Sequence, residues 1–295
     1  MTTPPAERRK GHLAMLAFSA IVAGSFPLGA RVAPYIDPGA LTAMRFWLAA
    51  AVVAGVALAG PGISPALLRA PWRFALLGAT ISVYFVTMFA GLRTAAPVSQ
   101  SAVFTLVPPM AAVFGWLLLR QRTTARMALA LSIGGAGALW VIFGGSLQQA
   151  LAFNLGPGER IYFIGCLSHA LYAPLVPRLN RGEPPLSFSL GVTLAGAVLL
   201  SVWFAPQILA TDWLALPPVV WLTLGYTAVF ASAVTFMLLQ YASLRLPAAK
   251  VMAYTYMTPS WVILLGALSG HGLPTALILP GIALTVLALA ILLKD

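Results

Sequence analysis

Ten stretches of mainly apolar residues, each about as long as a helix that crosses a bilayer, account for nearly the whole chain. They run over 12–30, 41–60, 73–92, 98–119, 127–145, 160–178, 187–205, 218–241, 248–269 and 275–293. Hydrocarbon offers no water to backbone polar groups, so such runs fold as helices that close their own hydrogen bonds. The links between them carry turn residues: Asp37-Pro38-Gly39, Pro61-Gly62, Gly156-Pro157-Gly158, Pro184-Pro185 and Pro217-Pro218. None is long enough for a domain outside the membrane. The expected fold is therefore an all-α polytopic membrane protein with ten transmembrane helices.

Charge fixes the expected orientation. Only 8% of the 295 residues are charged, against about 25% in soluble domains. A net charge of +11 would suggest nucleic acid in a soluble protein, but here the basic residues lie between the apolar runs, where topology explains them. With the N-terminus inside, the inner links hold Arg8, Arg9, Lys10, Arg69, Arg73, Arg120, Arg122, Arg126, Arg178, Arg181, Arg245, Lys250 and Lys294. Only Arg31, Arg93 and Arg160 fall outside, and Arg45 lies within a run. Both termini are thus expected in the cytoplasm, with residues 1–11 as a short N-terminal segment. The basic start and the run 12–30 are read as a first span, too long for a cleaved signal. The partners expected are the lipid bilayer and a small-molecule substrate, with no nucleic acid; the sequence assigns no oligomeric state. One cysteine, Cys166, excludes an internal disulfide and a Cys-built metal site, and no cofactor is expected.

The chain also repeats itself. An offset of 147 pairs Pro27 with Pro174, Arg31 with Arg178, and Leu77-Gly78-Ala79-Thr80 with Leu224-Gly225-Tyr226-Thr227. An offset of 150 pairs Pro97 with Pro247, Thr105 with Thr255, and Pro109 with Pro259. A five-span unit duplicated in tandem sets its second copy upside down, because five is odd. The expectation is a 5+5 inverted-topology repeat, 12–145 and 160–293, with a site near midplane between the halves. Proline removes a helix N–H and clashes with the carbonyl four residues back. Pro108, Pro109 and Pro259 are accordingly read as hinges, with a packing kink as the plainer reading.

Ten spans in two halves, each with a proline-bearing fourth span, resemble the EamA-type branch of the drug/metabolite transporter superfamily over His12 to Leu293. The members most similar are bacterial exporters of aromatic amino acids that also handle methyl viologen. The resemblance implies a central cavity lined by spans one, three, four, six, eight and nine, with five and ten peripheral. Such families usually carry Gly-Glu near the ends of spans four and nine; here those ends read Leu119-Arg120-Gln121 and Ser269-Gly270-His271.

His169 is the ionisable side chain expected at midplane, where such a group is by default functional; a neutral imidazole bonded to a neighbouring helix is the alternative. Tyr84, Thr105, Tyr254, Thr258 and Thr255 fall at the same depth. Lys250, Tyr254, Thr258 and Trp261 follow helical spacing on one face, as do Gln100, Phe104 and Pro108. With Tyr172 and Tyr226 these give an amphipathic wall for a cargo with a flat or apolar side chain. Arg45 is read as snorkelling to the headgroups. The six acids, Glu7, Asp37, Glu159, Glu183, Asp212 and Asp295, all lie outside the expected hydrocarbon slab, which argues against a cation/proton antiporter. Gly134-Gly135-Ala136-Gly137 is read as a helix-packing stripe rather than a phosphate loop.

The function expected is export of small amphipathic metabolites, amino acids including aromatic ones, by alternating access. An exporter of organic cations and a passive channel are the alternatives. An intramembrane enzyme would need a nucleophile–base pair or metal cluster, which the chain does not supply.

Overall fold

The structure is a computed structural model that describes residues 5–60, 62–152, 155–269 and 275–293. Pro61, Gly270, His271, Lys294 and Asp295, used above, lie outside the described residues.

The described residues are helical, without strands, and nine helical segments are long and apolar enough to cross a membrane. The first segment is α1 (Pro5–Ala23) followed by α2 (Ser25–Val32), and the second is α3 (Pro38–Ala59). Next come α4 (Trp72–Gly91), then α5 (Pro97–Phe104) with α6 (Val107–Leu119), then α7 (Ala125–Ile142). Short α8 (Leu147–Ala152) leads into α9 (Pro157–Leu179), α10 (Pro185–Trp203) and the stub α11 (Ala205–Ala210). The last three segments are α12 (Pro218–Ala228) with α13 (Thr235–Ser243), α14 (Ala248–Met252) with α15 (Thr258–Leu268), and α16 (Leu279–Leu293).

The sixth expected span is α9, and it is not one of the nine. At 23 residues it is long enough, but Tyr162, His169, Tyr172, Pro174 and Pro177 lower its average hydropathy. Its partners explain the composition. α9 packs on both α4 and α6, so the polar side chains on its buried faces meet protein rather than lipid.

Packing places the other segments. α7 and α16 pack against each other and belong to the least buried of the nine segments, 33% each against 44–61% for the other seven. They form the rim. α3 packs on α10, α10 on α4, and α1 on α13. Small residues allow the closest crossings. A Cβ on Gly78 would lie 2.7 Å from the Gly196 backbone nitrogen, and one on Gly137 would lie 2.6 Å from the Gly281 carbonyl oxygen. Gly137 thus serves the packing role expected of the glycine stripe.

Four of the long segments are interrupted near their middles. In the fourth, the break at Thr105 and Leu106 is a tight turn in which both N–H groups reach back three residues. Pro108 then sits at the start of α6, where a missing N–H costs nothing and the fixed φ suits a helix start. In the eighth, α14 passes through a 3₁₀ stretch (Ala253–Met257) before α15, again with a proline, Pro259, at the restart. The prolines therefore begin new helices rather than kink continuous ones. In the seventh, α12 and α13 are joined by a π-helical turn (Val229–Val234). The first is interrupted at Gly24, where the Tyr226 hydroxyl donates to the Ile21 carbonyl at 2.7 Å. A side chain entering the helix ladder is a recognised cause of such a break.

Candidate functional site

Two of the interrupted segments, the first and the fourth, contribute rings to one buried aromatic cluster. His169, at the middle of α9, is 2% exposed and stacks on Tyr84 of α4 at 4.3 Å between ring centroids, tilted by 25°. Phe104 approaches it at 5.5 Å, Tyr172 at 6.3 Å, and Phe18 of α1 at 6.5 Å. Tyr84 accepts a hydrogen bond from the Tyr162 hydroxyl at 3.1 Å, and Phe26 packs edge-on against Tyr162. Segments one, three and four and α9 each place at least one ring here.

Within this cluster His169 has no polar company. Neither ring nitrogen has a hydrogen-bond partner among the described residues. The expectation of an imidazole bonded to a neighbouring helix is therefore not met; the rings around it meet it by stacked or tilted contact. Buried polar groups ordinarily find partners. The Thr255 and Thr258 hydroxyls, the Tyr256 hydroxyl and the Gln100 carbonyl oxygen are also without partners among the described residues. Several such atoms sit at or beside the helix breaks.

The remaining expected residues divide into two groups. Gln100 turns its amide toward the Met88 carbonyl at 2.6 Å, and the Thr105 hydroxyl donates to the Ala102 carbonyl at 2.6 Å. Tyr226 fills the space left by Gly24, where a Cβ would lie 2.4 Å from its hydroxyl. The face of the eighth segment turns toward α1. Tyr254 lies 3.1 Å from His12 Nδ1, and the Trp261 ring N–H donates to Ser19 at 3.2 Å. Lys250 lines a cavity of about 280 Å³ with Arg8, Thr124 and Arg126, not the His169 cluster. Two further cavities lie under Gln121 and Pro247, and in an apolar groove beside Trp203 and Phe204.

Arg45 corrects the sequence reading. It does not snorkel; its side chain is fully buried. α3 starts at Pro38, capped by the Asp37 carboxylate, so Arg45 is seven residues and about 10 Å into the helix. Its guanidinium lies 3.6 Å above the centre of the Phe85 ring. Nε donates to the Ser232 hydroxyl at 2.6 Å and Nη2 to the Ala231 carbonyl, both in the π-helical turn, while Nη1 has no partner among the described residues. An arginine at such depth costs about 3 kcal/mol even on insertion-based scales, and such residues usually mark pathways. No signal in the apolar run around it distinguished this arginine from an interfacial one.

Outside the membrane-spanning segments, Glu183 forms a buried ion pair with Arg73 at 2.7 Å. Burial pushes the Glu183 carboxyl up, but the Arg73 guanidinium and the Arg181 N–H outweigh it and hold it below its ordinary value. The pair ties the link after α9 to the start of α4. Among the described residues no group of His, Cys, Asp and Glu is placed to hold a metal ion.

Comparison with known proteins agrees with a transporter rather than an enzyme. The model of the EamA-like transporter family matches twice, over residues 9–143 and 157–294. An uncharacterized transporter of Bacillus subtilis (strain 168), YyaM, is 26% identical over 253 residues, covering 84% of this chain and 82% of its own. A solved crystal structure shares the fold, with a TM-score of 0.75 and 22% identity over 98% of this chain and 97% of its own. With two matches that together span nearly the whole multi-pass chain, the protein belongs to the EamA-like transporter family.

Proposed function

We propose that the protein is a carrier that exports small amphipathic metabolites, amino acids including aromatic ones, across the bacterial inner membrane. In this reading, α9 is a tenth span and the two halves, 12–145 and 160–293, are inverted copies that rock about a site at midplane. Two observations support the repeat. The family model matches once in each half. The contacts between halves also come in mirrored pairs: α4 with α9 mirrors α12 with α2, and α6 with α9 mirrors α15 with α1.

The observation that carries the functional reading is the His169 cluster. Unpartnered ring nitrogens enclosed by Tyr84, Phe104, Tyr172 and Phe18 form a surface for a flat side chain with a polar end. Hydrogen-bonding capacity left unused in the closed chain is available to cargo. α5 packs on α15 at one end and α6 on α14 at the other, which supports an occluded form between two open ones. Pro108, Pro109 and Pro259 serve as the hinges, with both termini in the cytoplasm. Gln100, Thr105, Tyr226, Lys250, Tyr254, Thr258 and Trp261 complete the path.

A second reading, export of organic cations, draws on the same rings, whose faces attract cations. The buried Arg45 charge opposes it. Reconstitution into liposomes with counterflow of aromatic amino acids against organic cations tests the assignment. Saturable exchange of the amino acids supports it. Exchange confined to cations selects the second reading, and non-saturable flux selects a channel.

A further inference from the structure

Resting on the carrier reading above, we propose that Arg45 is the anchor for a carboxylate group on the cargo, and so restricts cargo to carboxylate-bearing molecules.

The first reason is charge. Arg45 is a permanent cation in a membrane-spanning helix, and no described acid neutralises it. Glu7 is engaged by Lys10 and Arg245, Glu183 by Arg73, and Glu159 by Ser99. Asp37 caps α3 and faces Arg93, and Asp212 bonds the backbone of its own link. A buried charge without a counter-ion is retained where something else supplies one.

The second reason is geometry. Two edges of the guanidinium are occupied by Ser232 and Ala231, and these bonds fix its plane against Phe85. The remaining corner, Nη1, is fully enclosed and has no partner among the described residues. A held guanidinium with a free N–H edge suits a carboxylate oxygen.

The third reason is continuity with the site. Phe85 meets Tyr84 at 4.7 Å, and Tyr84 meets His169 at 4.3 Å. A molecule with its carboxylate at Arg45 Nη1 can therefore lay an apolar body along Phe85 and Tyr84 and end at His169. The Ala231 carbonyl belongs to a π-helical turn, a feature frequent at functional sites. Lys250, the sequence-based candidate for this role, lines a cavity with Arg8 and Arg126 instead.

The test is competition in proteoliposomes with three probes that share a phenyl group: phenylalanine, 3-phenylpropionate and phenylalaninamide. In the wild type, phenylalanine and phenylpropionate should compete at least tenfold better than the amide. Arg45→Gln should abolish that preference while leaving the amide unchanged, and Arg45→Lys should retain part of it. Equal competition by the amide in the wild type overturns the assignment and leaves the carrier reading intact. So does an unchanged preference in Arg45→Gln, or equal loss of all three probes in a variant that elutes as folded protein. If Arg45→Gln does not fold, the wild-type preference and Arg45→Lys decide. Absence of saturable flux for every probe overturns both the carrier reading and this one.

Discussion

The Arg73–Glu183 pair gives the sharpest stability prediction. Both side chains are almost fully buried, 1% and 2% exposed, with 2.7 Å between Nη2 and Oε1. Removing one partner of such a pair strands the other charge and costs about 3–5 kcal/mol. Glu183→Gln should fall near the low end, because Arg73 keeps its bonds to the Arg69 and Leu179 carbonyls. Arg73→Met should cost more, since the stranded carboxylate keeps the Arg181 N–H as its ligand at 2.6 Å and loses its counter-ion. The double variant Arg73→Met/Glu183→Gln should lose less than the sum, because no buried charge remains. Reversible denaturant unfolding of detergent-purified protein measures all three. The pH dependence has a definite sign. Glu183 titrates below its ordinary 4.5 in the folded chain, so its stabilisation is complete above that value and is lost as pH falls through the lowered one. The gap between wild type and Glu183→Gln should narrow on going from pH 7 to below 4.5. Single losses that add within ~0.5 kcal/mol would refute the coupling. A gap constant with pH would refute the titration argument.

Four further substitutions have expected outcomes. Gly24→Ala places a methyl 2.4 Å from the Tyr226 hydroxyl, so it should destabilise by about 1–3 kcal/mol in the same unfolding assay. Gly137→Leu, against the Gly281 backbone, should yield aggregated protein by size-exclusion chromatography, whereas Gly135→Ala, with open space around it, should stabilise by about 0.5–1 kcal/mol. His169→Phe removes two ring nitrogens that bond nothing described, so unfolding should change by less than about 1 kcal/mol while counterflow falls at least tenfold. Unimpaired counterflow in that variant would remove His169 from the site.

Much of this architecture was legible because lipid makes sequence literal. Apolar run length gave the helices, and duplicated prolines gave the breaks in the segments that end at Leu119 and Leu268. Their form was less legible, since a proline at a helix start and one inside a helix look alike in sequence. The π-helical turn at Val229–Val234 contains neither proline nor glycine. Arg45 bonds that turn across the bundle from 187 residues earlier in the chain, so the pairing is tertiary. The apolar run begins only at Leu41, which sets Arg45 too shallow. The Asp37-Pro38 helix-start signal puts the first turn three residues earlier. The depth of His169 and Tyr84 is legible in the sequence, since each lies well inside its helix. The surroundings of Lys250 are not legible, because helical spacing cannot say which neighbour a face meets. The Tyr254 and Trp261 face turned out to meet His12 and Ser19 of α1.

Alternating access about a midplane site is tested most directly by locking one end. Val98 of α5 and Ile263 of α15 pack against the same small apolar cluster, and the free Cys166 is buried and would be changed to alanine. With cysteines at 98 and 263, oxidation should halt counterflow of phenylalanine, and reductant should restore it. Full counterflow through the oxidised, crosslinked protein would contradict the account.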